Sequence, residues 1–144
     1  MSRCNLTQTD FVLFNGDMLS FINSEDQLFK GFMDTAVRLF ASEIPMYYAR
    51  GNHETRGVFA TEIQRYFSPC QEHLYYAFRQ GPVYCIVLDT GEDKPDSDIE
   101  YAGITQYDLY RTEQSEWLAS ILESTEYKEA PFKIIVAHIL SLIH

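Results

Sequence analysis

Asp17, Asn52, His53 and His138 are the residues of this 144-residue chain whose types and placement point to chemistry. Each follows a short apolar run: Asp17 comes after DFVLFNG, Asn52 and His53 after PMYYARG, and His138 closes FKIIVAH. A carboxylate, an amide or an imidazole is costly to bury without a partner, so three such endings suggest a shared task. Carboxylate oxygen, amide oxygen and imidazole nitrogen form a mixed donor set that suits Mn, Fe or Zn better than Ca or Mg alone. Taken singly, each residue also has a plain structural reading. Asp17 after Gly16 fits an Asx-turn, Asn52 fits a turn, and His138 fits a hydrogen-bonded histidine at a strand end. Their joint placement favours the shared site, because ligands of open α/β sheets gather beyond the carboxyl ends of the strands.

The elements that must bring them together are legible in the apolar pattern. Asp10 to Asn15 reads as a buried strand entering a loop at Gly16 and Asp17. Ser24 followed by Gln27 fits a capping box. From there Leu28, Phe29, Phe32, Met33, Ala36, Val37 and Phe40 recur at helical spacing, predicting an amphipathic helix from Glu25 to about Ser42. Pro45 ends it, and Met46 to Ala49 is the next strand, completing a strand–helix–strand unit of the kind that builds parallel sheets. Phe59 to Phe67 suits a shorter helix stopped before Pro69. Leu74 to Arg79 and Val83 to Asp89 flank the turn signal Gln80-Gly81-Pro82, which predicts an antiparallel hairpin and a mixed sheet. Residues 91–110 are polar, acidic and long for a loop. Thr112 is placed to cap a helix carrying Trp117, Leu118, Ile121 and Leu122, and a last strand after Pro131 ends in His138. The fold class is α/β, in one domain over residues 1–144.

Composition bounds the partners. Nearly half the residues are apolar and the net charge is −10. Without a Lys/Arg surplus to release counterions from a phosphate backbone, the charge argues against a nucleic-acid partner, and none is expected. A small phosphate remains open if a metal reverses the local sign. Three cysteines make no disulfide framework. Cys85, inside VYCIVL, reads as a small buried hydrophobe, and Cys4 and Cys70 as free thiols in polar surroundings. His73 reads as solvated, His144 as frayed, and Asp89 as a turn residue or one orienting a ligand histidine. No apolar run has the length of a membrane span, and MSRCNLTQTD is not of signal-peptide type. Compartment and oligomeric state are not readable.

Gly16-Asp17, then Gly51-Asn52-His53-Glu54, then Val136-Ala137-His138 resemble the calcineurin-like metallophosphoesterase family, over nearly the whole chain. More narrowly, their spacing and the GEDKPDSDIEY insertion look like bacterial proteins related to purple acid phosphatases. The fold this implies is a mixed β-sheet sandwich flanked by helices. The activity it implies is metal-dependent hydrolysis of phosphate mono- or diesters, by attack of a water bridging two ions. In that resemblance Asp17 bridges the two metals, Asn52 and His138 are ligands of the second, and His53 is the general acid over the substrate. Glu54 orients the loop or His53. Arg50 and Arg56 flank the motif, and either can be read as a phosphate contact or a surface charge, with Arg56 the substrate-binding choice.

The chain departs from the family pattern in three places. An upstream Asp-x-His and a downstream Gly-His-x-His do not occur. Ser20 stands three residues after Asp17, where the purple enzymes carry a metal-binding Tyr. The expectation is therefore an incomplete sandwich: the middle part of a catalytic domain, with the first metal keeping only Asp17. The rival reading is a non-catalytic binding protein that retains the phosphoesterase fold. No Gly-x-Ser-x-Gly and no glycine-rich phosphate cradle supports a serine hydrolase or a P-loop enzyme.

Overall fold

The computed structural model describes residues 6–67 and 73–139. Cys4, Cys70 and His144 lie outside the described residues. The first unit is β1 (Val12–Asn15), helix α1 (residues 25–41) and β2 (Met46–Ala49), with β1 and β2 parallel and Val12 opposite Met46. Ser24 caps α1: its Oγ accepts from the Gln27 N–H at 3.2 Å, while Gln27 Oε1 accepts from the Asn23 N–H at 2.9 Å.

Helix α1 departs from the regular helix that its apolar spacing predicts. Two π-helical stretches, Phe29–Met33 and Val37–Ala41, interrupt the α-helical turns Glu25–Leu28 and Asp34–Ala36. The wider i→i+5 turns shift the phase of the apolar stripe. Leu28, Phe32 and Ala36 are buried as expected, but Val37 is turned outward and is 48% exposed. The buried face meets Tyr48, Ile63, Phe67 and Leu74 in one core, into which Phe14 and Phe40 also pack.

A short 3₁₀ turn Ala60–Ile63 runs into α2 (Gln64–Phe67), in place of one regular helix from Phe59. Then β3 (Tyr76–Gln80) and β4 (Val83–Val87) form the expected antiparallel hairpin, with Gln80 opposite Val83 and Gly81 at φ +55° in the turn. Cys85 is buried on β4. Helix α3 (Tyr107–Glu123), α4 (Thr125–Glu129) and β5 (Phe132–Val136) follow, and β5 pairs parallel to β4. Trp117, Leu118, Ile121 and Leu122 of α3 cover Tyr84 and Ile86 of β4, as their spacing anticipates. No helix among the described residues is long and apolar enough to cross a membrane.

Two further expectations are corrected. Thr112 does not cap α3, which begins five residues earlier at Tyr107. The cap is tertiary: Asp96 in the preceding loop accepts from the Tyr107 and Asp108 N–H groups at 2.8 and 2.9 Å, one on each carboxylate oxygen. Thr112 Oγ1 donates instead to the Asp108 carbonyl inside the helix. The strands also form not one sheet but two, β1–β2 and β3–β4–β5, and it is the second that is mixed, as the hairpin predicts. Between them the Tyr76 hydroxyl takes both the N–H and the C=O of Tyr48, each at 2.9 Å, the backbone groups a neighbouring strand would use. Tyr47 stacks on Phe78 beside it, with ring centroids 3.6 Å apart. The chain is thus a mixed α/β fold with four helices and two small sheets among the described residues.

Candidate metal and phosphate site

The carboxyl ends of β1 and β2 open into two loops that touch. Gly16 and Asp17 both adopt positive φ, +70° and +57°. For Gly16 no other residue fits, since a Cβ there would lie 2.5 Å from His138 Nδ1 and 2.6 Å from the Gly51 Cα. Asp is one of the few side chains that tolerates the left-handed region, at some backbone cost. Gly51 is as tightly placed, because its Cβ would meet Asp17 Oδ1 at 2.3 Å. The GD and GNHE segments, far apart in the chain, are therefore in van der Waals contact through two missing side chains.

Glu54 ties them. Its carboxylate is 1% exposed and accepts from the N–H groups of Asp17 (2.8 Å), Leu19 (2.9 Å) and Gly51 (3.0 Å). Burial, and then the charge and hydrogen bond of Glu54, push the Tyr48 phenol far up, so that its O–H stays a donor to this carboxylate. Glu54 thus orients the loop, the first of the two roles that the resemblance implies for it.

Asp17 faces two imidazoles. His138 Nε2 is 3.2 Å from Asp17 Oδ2, and His53 Nε2 is 3.9 Å from the same oxygen. His138 Nδ1 lies 2.7 Å from the Asn15 carbonyl oxygen and His53 Nδ1 lies 3.2 Å from that of Ser20. A carbonyl only accepts, so in both rings Nδ1 carries the proton of that contact and Nε2 is left for the site. In the neutral form, the His138 Nε2 lone pair and the Asp17 carboxylate are two electron-rich groups that need a proton or a cation between them. That arrangement fits a metal ion held by a carboxylate and a tautomer-locked imidazole. Among the described residues, however, no group of three or more His, Cys, Asp or Glu side chains is arranged to hold an ion.

Asn52 lies between Gly51 and His53, both of which touch Asp17; the His53 N–H donates to Asp17 Oδ1 at 3.2 Å. Its own side chain turns to Glu92, Nδ2 donating to Oε2 at 3.4 Å. Arg56 is 46% exposed and meets the same carboxylate through Nε (3.0 Å) and Nη2 (3.3 Å). Burial pushes Glu92 up, but hydrogen bonds from Arg56 and Thr55, the Arg56 charge and Asn52 outweigh it and hold its carboxyl below the usual range. Glu92 is the residue that reading the sequence misses. It stands among several acidic residues of an exposed-looking loop, and nothing local marks one of them as buried.

Arg50 is neither a phosphate contact nor a surface charge. Its guanidinium is buried against Asp89, with Nε to Oδ1 at 3.1 Å and Nη2 to Oδ2 at 2.8 Å. Asp89 is 0% exposed and also accepts from the Tyr110 hydroxyl at 2.9 Å. Gln114 brackets the Asp89 backbone from α3, accepting from its N–H and donating to its C=O. Asp89 therefore pairs with an arginine and not with a histidine. Neither is His73 simply solvated, since it stacks on Tyr75 at 4.7 Å.

The structure thus gathers Asp17, His53 and His138 at one point and ties Asn52 and Arg56 to a common carboxylate beside it. Comparison with curated proteins gives no match, and neither does comparison with solved structures. The family model described as calcineurin-like phosphoesterase matches residues 3–142. That match covers almost the entire chain and includes every residue of the cluster just described, so the chain belongs to the calcineurin-like phosphoesterase family.

Proposed function

We propose that this protein is a metal-dependent phosphoesterase acting on phosphate mono- or diesters, with Asp17, Asn52 and His138 as metal ligands, His53 as general acid and Arg56 as a substrate contact. Family membership makes a hydrolase of phosphoesters the general expectation. The observation that carries the finer reading is the pair Asp17 Oδ2 and His138 Nε2, 3.2 Å apart, with the imidazole locked from behind by the Asn15 carbonyl. Ions of Mn, Fe or Zn, which Asp17, Asn52 and His138 would hold, would supply Lewis acidity: positive charge against the phosphate and a lowered pKa for water.

The remaining work falls to the chain's own groups. His53, its Nδ1–H held by the Ser20 carbonyl, presents Nε2 as the atom that carries a proton to the leaving oxygen. Glu92 holds one edge of the Arg56 guanidinium, and the exposure of the rest of that side chain supports its reading as a contact for a phosphoryl oxygen. The narrower likeness to purple acid phosphatase relatives rests on the motif spacing and the GEDKPDSDIEY insertion alone. Ser20 offers a carbonyl and no phenolate, so a tyrosinate-bound iron is not part of the proposal.

The test is metal content by elemental analysis after incubation with Mn, Fe or Zn and dialysis, for wild type and Asp17→Ala, followed by hydrolysis of p-nitrophenyl phosphate and its bis ester. Metal retained by the wild type and lost in the variant, with turnover, is the expected result. Retained metal without turnover of either ester would favour the binding-protein reading. A wild type that keeps no metal would remove the metal assignment.

A further inference from the structure

We propose that Glu92 is a positioning residue for Asn52: by taking the amide N–H₂ it leaves the amide oxygen as the atom free to meet a cation. The inference rests on the reading of Asn52 as a metal ligand.

The two ends of an asparagine amide have nearly the same shape and opposite chemistry. Turned one way it offers a cation an oxygen; turned the other way it offers two N–H groups that repel it. A neighbour that accepts but cannot donate removes the ambiguity, and a carboxylate is such a neighbour. Glu92 Oε2 stands 3.4 Å from Asn52 Nδ2, a long contact that is effective only if the carboxylate cannot turn away.

It cannot. Arg56 Nε and Nη2 each hold one oxygen of Glu92. Thr55 Oγ1 lies 2.9 Å from Oε1 and 2.6 Å from the Asn52 carbonyl oxygen, sharing its one proton between them. Behind the side chain, Arg111 Nη1 donates to the backbone carbonyls of Glu92 and Thr90 at 3.2 and 3.1 Å. The side chain is only 7% exposed. A surface ion pair with Arg56 alone would give little reason to bury a carboxylate, since such pairs contribute little to stability. Orienting the Asn52 amide gives one. The long acidic loop thereby reaches the proposed metal site through Glu92.

The test measures Zn affinity by calorimetry and the Asn52 side-chain amide protons by NMR, in wild type, Glu92→Gln, Arg56→Ala and Asp17→Ala. Gln in place of Glu92 keeps the shape but offers an N–H₂ of its own, which invites the Asn52 amide to flip. Zn affinity is expected to fall about tenfold in Glu92→Gln, the lower end for a residue that orients a ligand, with shifted Asn52 amide signals. Arg56→Ala frees one side of the Glu92 carboxylate, so Zn affinity is expected to fall in the same direction by about threefold, less than in Glu92→Gln because Thr55 still holds Oε1. Equal Zn affinity in Glu92→Gln and wild type, with loss in Asp17→Ala, would overturn the positioning role and leave the metal reading standing. No Zn binding by the wild type would overturn both. Should Glu92→Gln fail to fold, the wild type decides: one Asn52 Nδ2 proton exchanging more slowly than that of a solvent-exposed asparagine is expected, and equal exchange would overturn the role.

Discussion

The carboxylate of Glu54 accepts the backbone N–H of Asp17 at 2.8 Å, across 37 residues of chain. The same carboxylate holds Leu19 and Gly51, so the loop after β1 and the loop after β2 share one buried acceptor. Asp17 is held by its backbone in a left-handed conformation while its side chain faces His138 and accepts from the His53 N–H. The last residue of the GNHE segment therefore acts on the GD segment, and the pair behaves as one unit.

Glu54→Gln should expose that dependence. The amide keeps one acceptor oxygen and turns an N–H₂ against backbone N–H groups, leaving at least one buried donor unpaired. A loss of about 3 kcal/mol is expected, because the lost bonds are to a charged group. Denaturant unfolding of the two proteins, compared at constant slope, measures it. An unchanged midpoint would show that the two loops are held by something else.

The Arg50–Asp89 pair should prove structural. Arg50→Ala leaves Asp89 buried with no cation beside it, for which a loss of about 3–5 kcal/mol is expected. Arg50→Lys keeps the charge but not the two-pronged contact and should fall between. Thermal or urea unfolding orders the three proteins. An Arg50→Ala protein as stable as wild type would contradict the buried geometry.

Asp96 should make the start of α3 sensitive to acid. Burial pushes its carboxyl up, but the hydrogen bonds from the Asp108 and Tyr107 N–H groups outweigh it and hold the group below its ordinary value of 3.8. A carboxylate depressed in the folded state stabilises above its unfolded pKa, and that contribution is lost as pH falls through the folded value. The first turn of α3 should therefore lose protection from amide exchange at a pH below 3.8 in wild type. In Asp96→Asn protection should be weaker at neutral pH and flat across that window. Parallel profiles for the two proteins would refute the cap.

His53 should matter most where the leaving group is poor. If Nε2 supplies its proton, His53→Ala should slow hydrolysis of an alkyl phosphate by about 10²–10⁴-fold. A nitrophenyl ester, whose leaving group needs little protonation, should be slowed far less. Metal content should stay at the wild-type level in this variant, which separates the proton from the ligands. Equal slowing of both esters would assign His53 a binding role.

Much of this was legible along the chain, for physical reasons that operate over short distances. Apolar runs of strand length located β1, β2, β4 and β5, and Ser24 with Gln27 marked the start of α1, because run length and end-capping are local signals. Asp17, His53 and His138 could be singled out because polar groups closing apolar runs must meet at a strand edge, and they do meet. The conformation of α1 was not legible, since its spacing matches an ordinary helix and only packing reveals the wider turns that expose Val37.

The partners of charged groups were decided by the tertiary structure alone. Arg50, Arg56, Asp89, Glu92 and Asp96 look alike in the sequence, as charges near loops. A charge finds its partner through space, and the pairs here span from 36 to 39 residues between arginine and carboxylate. The split into two sheets has the same origin: one Tyr76 hydroxyl, brought to Tyr48 by the fold, occupies the backbone groups that local pattern would assign to another strand. Residue type and spacing determined which groups could do chemistry; three-dimensional proximity decided which of them are free to do it.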